Sequence, residues 1–183
     1  MSEAVDIAAL SARLQRLEAH EQIRQLVFGY ARALDRLDAA LLEQLFWPDA
    51  QVDYGTFYRG PVAGFLPIAL AFQGAMRDTQ HLIGNCVIQL DSGADTARAE
   101  SYVQASHVQI EGETRVQLLV GARYLDRFER RGSEWRIAYR TEVLDWGRRL
   151  NITEEWFERS TEMPKGCRDR TDLSYGFLPG IRP

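Results

Sequence analysis

The chain has 183 residues, 45% of them hydrophobic and 26% charged, with 22 Lys plus Arg against 26 Asp plus Glu. That is too apolar for a disordered chain and not basic enough for a general nucleic-acid binder, and no apolar run of about 18 residues offers a membrane span. Cys86 and Cys167 supply neither a disulfide framework nor a four-thiolate zinc site, and the opening residues lack the basic start and apolar centre of a signal peptide, so the expectation is a cytoplasmic, soluble domain large enough to enclose a small molecule.

In chain order, residues 7–35 read as a helix, with Leu10, Leu14, Leu17, Ile23, Val27, Tyr30 and Leu34 taken as one apolar stripe and Arg13, Arg16, Glu18, Glu21, Arg24 and Arg32 opposite it. Asp38 is placed to cap a second short helix over 39–46, which Pro48 stops. A short strand is expected at 50–54 and a third helix at 61–77. Strands follow at 80–90, 96–110, 114–130 and 134–146, separated by DSGAD, EGE and RRGS, which are hairpin turns. Helices followed by a run of hairpins imply an α+β fold, with helices on one face of a mostly antiparallel curved sheet. A domain over 1–148 and a C-terminal extension over 149–183 are expected. The extension carries a short helix at WFERS (156–160) and covers either a pocket or a subunit interface.

Strand parity singles out a few residues. Ala97, Ala99, Ser101, Val103, Ala105 and His107 share one face of their strand, so a histidine ends a row of small side chains. His81, Ile83, Asn85 and Val87 share a face of the neighbouring strand. A lone histidine on an apolar face is more often a satisfied core residue than a functional one. Two of the chain's three histidines on adjacent strands, however, point to a joint role; the third, His20, reads as surface. Asp35 sits at the C-terminal end of the leading helix, where the dipole disfavours a carboxylate. Either solvent tolerates it there or a cationic partner compensates it. Asp49 and Asp53 read as turn and strand-edge residues.

The segments YARALDRLDAALLEQLFWPDAQVDYG, QHLIGN, DTARAESYVQASH and RYLDRFERRGSEWRIAYRTEVLDW together resemble the SnoaL-like branch of the nuclear transport factor 2-like superfamily over about residues 15–148. The resemblance implies a cone-shaped α+β barrel with a pocket inside the cone. It also implies an activity among those of scytalone dehydratase, bile-acid 7-alpha-dehydratase, lindane dehydrochlorinase, ketosteroid isomerase and polyketide cyclases, most of which need no cofactor. By that resemblance Asp35 and His81 match a catalytic aspartate–histidine pair, and Tyr30 and Tyr54 match pocket tyrosines. His107 matches a second histidine, and Arg140 a pocket arginine, with Arg136 on the same strand face as its rival.

If these residues meet, His81 is a general base near neutral pH and Asp35 fixes its tautomer. Tyr30, Tyr54 and His107 are donors to a carbonyl or leaving hydroxyl, and Arg140 either stabilises negative charge or pairs with Glu142. Phe28, Trp47, Phe57, Phe65, Phe72 and Leu119 are candidate apolar contacts for a ring-containing substrate. The expected reaction is a cofactor-independent elimination of water, or a retro-aldol loss of a small aldehyde. Rival readings are a ketosteroid-type isomerase, an iron site built from His81, His107 and Asp35, and a non-catalytic module such as the small subunit of a ring-hydroxylating dioxygenase. A homodimer or homotrimer through the outer sheet face, using Tyr102, Val108 and Leu125, is expected, with no nucleic-acid or membrane partner and no bound metal.

Overall fold

The structure, a computed structural model, describes residues 6–93, 95–153 and 162–178; the helix expected at 156–160 lies outside them. Helix α1 (Ile7–Asp35) starts at Asp6, whose carboxylate accepts the Ala9 N–H at 3.1 Å. It ends in a sharp reversal. Leu37 adopts φ 51°, its N–H reaches the Leu34 carbonyl at 3.3 Å, and the Asp38 N–H reaches Ala33 at 2.9 Å. This paired pattern normally uses glycine at the left-handed position, and a leucine there carries roughly 1–2 kcal/mol of backbone strain. The reversal leaves Asp35 in the last helical turn and makes Asp38 the cap of α2 (Ala39–Gln44), accepting from the Leu41 N–H at 3.1 Å.

The single apolar stripe expected along α1 is in fact two. Ala19, Ile23, Leu26, Val27, Tyr30 and Leu34 are buried, whereas Leu10, Leu14 and Leu17 are exposed. At ~100° per residue, Leu14 and Ile23 lie about half a turn apart, on opposite sides of the helix.

The strands are β1 (Phe46–Asp53), β2 (Arg59–Pro61), β3 (Asp78–Leu90), β4 (Thr96–Glu111), β5 (Thr114–Arg131) and β6 (Glu134–Ile152); α3 (Val62–Ala75) follows β2, and α4 (Leu173–Phe177) closes the described chain. β1 begins earlier than expected and contains Pro48. The proline is tolerated because the β1–β6 register is broken between Phe46 and Gln51. The sheet order is β2-β1-β6-β5-β4-β3, with β1 parallel to β6 and the other pairs antiparallel. The result is a curled, unclosed sheet with α1 and α3 against its inner face, an α+β architecture. Tight β4–β5 and β5–β6 turns rest on Gly112 (φ 62°) and Gly132 (φ 69°), a backbone state open to glycine at little cost. Among the described residues no helix is long and apolar enough to cross a membrane.

Inner-face residues align in rows across the sheet. One row is Cys86, Ser101, Tyr124 and Glu142; the next is Ala99, Asp126 and Arg140. Two irregularities overturn parity-based expectations. A register shift between Ile83 and Cys86 turns the strand over, so Asn85 and Val87 do not share the face of His81, and Val87 is 64% exposed. In β6, Ala138 falls out of register between Ile137, opposite Phe128, and Tyr139, opposite Arg127. Arg136 and Arg140 therefore lie on opposite faces, and Arg140 is the inner one. On the outer face Tyr102 and Leu125 are exposed as expected, but Val108 is buried.

Candidate active site

The end of α1 and the start of β3 meet at Asp35. Thr79 and His81, two positions apart on a strand, point the same way, and both reach the Asp35 carboxylate. Oδ1 accepts Thr79 Oγ1–H at 3.0 Å and lies 2.7 Å from His81 Nδ1, while Oδ2 accepts the His81 backbone N–H at 2.9 Å. Burial alone would raise the Asp35 pKa, but the hydrogen bond and charge of His81, its backbone N–H and the Thr79 hydroxyl together hold it below its ordinary value. Because an ionised carboxylate only accepts, Nδ1 carries the proton in the neutral ring and Nε2 is left as the basic nitrogen. The His81 and Asp35 side chains are 3% and 13% exposed, so the pair does not face bulk water. A groove of about 290 Å³, lined by Phe28, Ala31, Arg32, Arg36 and Ile83, runs alongside it.

His107 is brought to the same place. Its ring meets that of His81 edge-on at 5.2 Å and that of Phe72 at 5.5 Å, and Phe72 in turn meets Phe57 at 5.7 Å. Gln73 Nε2 is 3.3 Å from His107 Nε2. Burial first, then the His81 charge, push the His107 pKa down to about 4, so it is neutral at physiological pH.

Tyr30 and Tyr54 join their hydroxyls at 2.8 Å. One O–H serves that bond, and the other phenol proton remains for a third partner. Burial raises both pKa values, so both stay protonated donors. Tyr54 stacks on Phe65 at 4.4 Å and Tyr30 meets Tyr124 edge-on at 5.5 Å. Glu142 stands beside Tyr124 on the inner face of the sheet. Burial raises the Glu142 carboxyl above its usual range.

Three expected contacts are placed elsewhere. Arg140 is fully buried and bonds Asp126, not Glu142, through Nε–Oδ1 and Nη2–Oδ2, both 2.7 Å. It is sandwiched between the Tyr30 and Tyr124 rings at 4.0 and 4.2 Å, so it supports the tyrosine wall rather than meeting solvent. Trp47 donates to the Glu129 carbonyl at 2.9 Å and lies under Arg131 and Arg136. It lines a separate groove of about 710 Å³ between α2, β1 and α3. Leu119 pairs with Ser106, on the face opposite His107; Leu118 is the residue opposite His107. Among the described residues no group of three or more His, Cys, Asp or Glu is arranged to hold a metal ion.

A helix-covered curled sheet of this kind has counterparts among known proteins. The SnoaL-like domain model matches residues 15–141. The chain belongs to the SnoaL-like domain family. An uncharacterized protein of Mycobacterium tuberculosis is 26% identical over 143 residues, 76% of this chain and 89% of that protein. Among solved structures, the hexachlorocyclohexane dehydrochlorinase of Novosphingobium barchaimii is 21% identical with a TM-score of 0.66, covering 75% of this chain and 94% of that one. A putative scytalone dehydratase of Novosphingobium aromaticivorans is 20% identical with a TM-score of 0.66, covering 75% and 91%. At these identities the likeness establishes the shared fold.

The neighbours of the site in this SnoaL-like chain differ in how far the sequence alone reveals them. Thr79 is visible only as a residue two before His81. Glu142 follows Arg140 by one strand period, a signal that parity does carry. Arg168, from the C-terminal segment, has no local signature. Its guanidinium bonds the backbone carbonyls of Asp35 (3.4 Å), Met76 (2.6 Å) and Gln73 (2.7 Å), joining the ends of α1 and α3. Glu142 and Arg168 both lie beyond the stretch matched by the family.

Proposed function

We propose that the protein is a lyase in which His81 is the general base, Asp35 its orienting acid, and Tyr30 and Tyr54 the proton donors. The reading rests above all on one observation: both carboxylate oxygens of Asp35 are committed to the His81–Thr79 segment, which leaves the imidazole Nε2 as the basic atom, without a hydrogen bond to any described residue. Asp35 plays the part of the third member of a Ser-His-Asp triad, fixing the tautomer and stabilising the imidazolium.

In a dehydration, Nε2 takes a proton from carbon next to an activating carbonyl or ring. The C–H electrons become the new double bond, and hydroxide leaves as water with a tyrosine proton. In a retro-aldol variant, Nε2 takes the substrate hydroxyl proton, the C–C bond breaks, and a small aldehyde departs while a tyrosine protonates the carbanion. Neither path calls on a cofactor. The rings of Phe57, Phe72 and His107 form a continuous apolar edge leading to His81, which favours a ring-containing, hydroxylated substrate. The dehydrochlorinase and dehydratase names carried by proteins of the same fold are consistent with elimination.

The test is a screen of hydroxylated aromatic and steroid-like compounds read by product mass. A product lighter by one water, or split into an aldehyde and its remainder, supports the lyase. A product of unchanged mass replaces it with an isomerase. Turnover retained in a folded His81→Ala variant rejects the assignment of the base.

A further inference from the structure

Among the described residues, the first half of α1 has no partner for its apolar side chains. Every residue from Asp6 to Glu18 is exposed, a length of about 20 Å at 1.5 Å per residue. An amphipathic helix without a partner for its apolar face gains little tertiary stabilisation. Yet the arm is helical, and its large apolar residues Ile7, Leu10, Leu14 and Leu17 are 78%, 48%, 57% and 68% exposed, at spacings of three, four and three. That is the a-d-a-d pattern of a coiled-coil seam. The pattern stops at the next two seam positions, Glu21 and Arg24, which pair with each other at 2.6 Å. From Ala19 onward the opposite side of the helix is buried in the domain.

We propose that residues 7–18 form a parallel two-stranded coiled coil with the same segment of a second copy of this chain. Charge selects both partner and direction. With Ile7 at a, Arg13 falls at g and Glu18 at e, five residues on, which is the spacing at which g of one strand meets e of the other in a parallel pair. Two-fold symmetry makes two such Arg–Glu contacts from one sequence. Neither residue has an ion pair with a described residue of its own chain. An antiparallel pair that buries the same four apolar residues sets Arg13 against Arg13 across the seam. A membrane surface is a poorer fit, because the arm carries Asp6 and Glu18 against Arg13 and Arg16 and lacks the cationic excess of interfacial helices. Leucine at both d positions, with isoleucine at one a, favours two strands. This contact is separate from the outer sheet face and independent of the proposed chemistry.

The experiment uses the full chain. Sedimentation of the unaltered protein is expected to show two copies, or a multiple of two, of the 20.9 kDa chain. Leu10→Asp with Leu14→Asp is expected to halve that mass and weaken association by at least 100-fold, with thermal stability of the domain kept, since both side chains are outside the core. Leu10→Cys is expected to give a disulfide-linked dimer that the unaltered chain does not form. Arg13→Glu should weaken pairing about 3- to 10-fold, and adding Glu18→Arg should restore it. A monomeric unaltered chain, an oligomer indifferent to Leu10→Asp/Leu14→Asp, or cross-linking only when Leu10→Cys and Leu14→Cys chains are mixed would each overturn the proposal. So would a chain that stays monomeric and sediments with anionic vesicles.

Discussion

Two acid–base pairs in this domain are built in opposite ways. Asp126–Arg140 is bidentate, wholly buried and sandwiched between aromatic rings. Asp35–His81 joins the imidazole through one ring nitrogen, is slightly exposed, and leaves the other ring nitrogen without a hydrogen bond among the described residues. The cation makes the difference. A guanidinium cannot give up its proton at any pH a protein survives, so its pair is a permanent brace. An imidazole can take up or release a proton at its second ring nitrogen, so its pair can pass one. Burial follows the same division, complete for Asp126–Arg140 and slightly less so for Asp35–His81.

Substitutions should separate the two. The largest effect is expected from His81→Gln, which should lower turnover about 10²- to 10⁴-fold, the usual contribution of a positioned base, with little change in the unfolding midpoint. Next, Asp126→Ala should cost about 3–5 kcal/mol of stability because it strands a buried guanidinium. The double change Asp126→Leu with Arg140→Met should recover most of that loss, as urea unfolding would show. If Asp126→Ala instead abolishes turnover in a fully stable protein, the brace is part of the chemistry and the contrast fails.

A subtler effect concerns pH. His107 is held neutral in the fold, with its pKa pushed down to about 4, whereas the unfolded chain takes up the proton near 6.5. Stability should therefore be full above about 6.5 and fall as pH drops from there to about 4. Asp35, lowered by its partners, begins to lose its contribution only as pH falls below its unfolded value of about 3.9. His107→Asn should flatten the first decline and leave the second in acid titrations followed by circular dichroism. The smallest effect is expected at Leu37. Glycine there relieves the left-handed strain and should stabilise by up to about 1 kcal/mol; an accompanying loss of turnover would show that the strained reversal helps to aim Asp35.

Much of the site was legible because periodicity is local. The hairpin glycines, the alternation in β4 and the spacing along α1 placed His81, His107, Tyr30 and Asp35 on the right elements. Their meeting was suggested by family resemblance, since nothing in a linear pattern shows that Thr79 and the His81 amide close on a carboxylate more than forty residues away. Trp47, Leu119 and Val87 were misplaced where the face a residue takes depends on pairing and bulges.

What sequence alone determined were the main elements: three helices, four hairpin-joined strands, the turns between those strands, and the polar residues that interrupt apolar faces; the short β2 and α4 and the extent of β1 and β6 were not among them. The main elements are set by backbone sterics and side-chain period within a few residues. Only the tertiary structure decided that Arg140 belongs to Asp126, that Arg168 bridges the ends of α1 and α3, and that the two apolar stripes of α1 face opposite ways, one into the domain and one outward. Each of these depends on groups distant in the chain becoming neighbours, and their energies of burial and charge pairing exist only once they do.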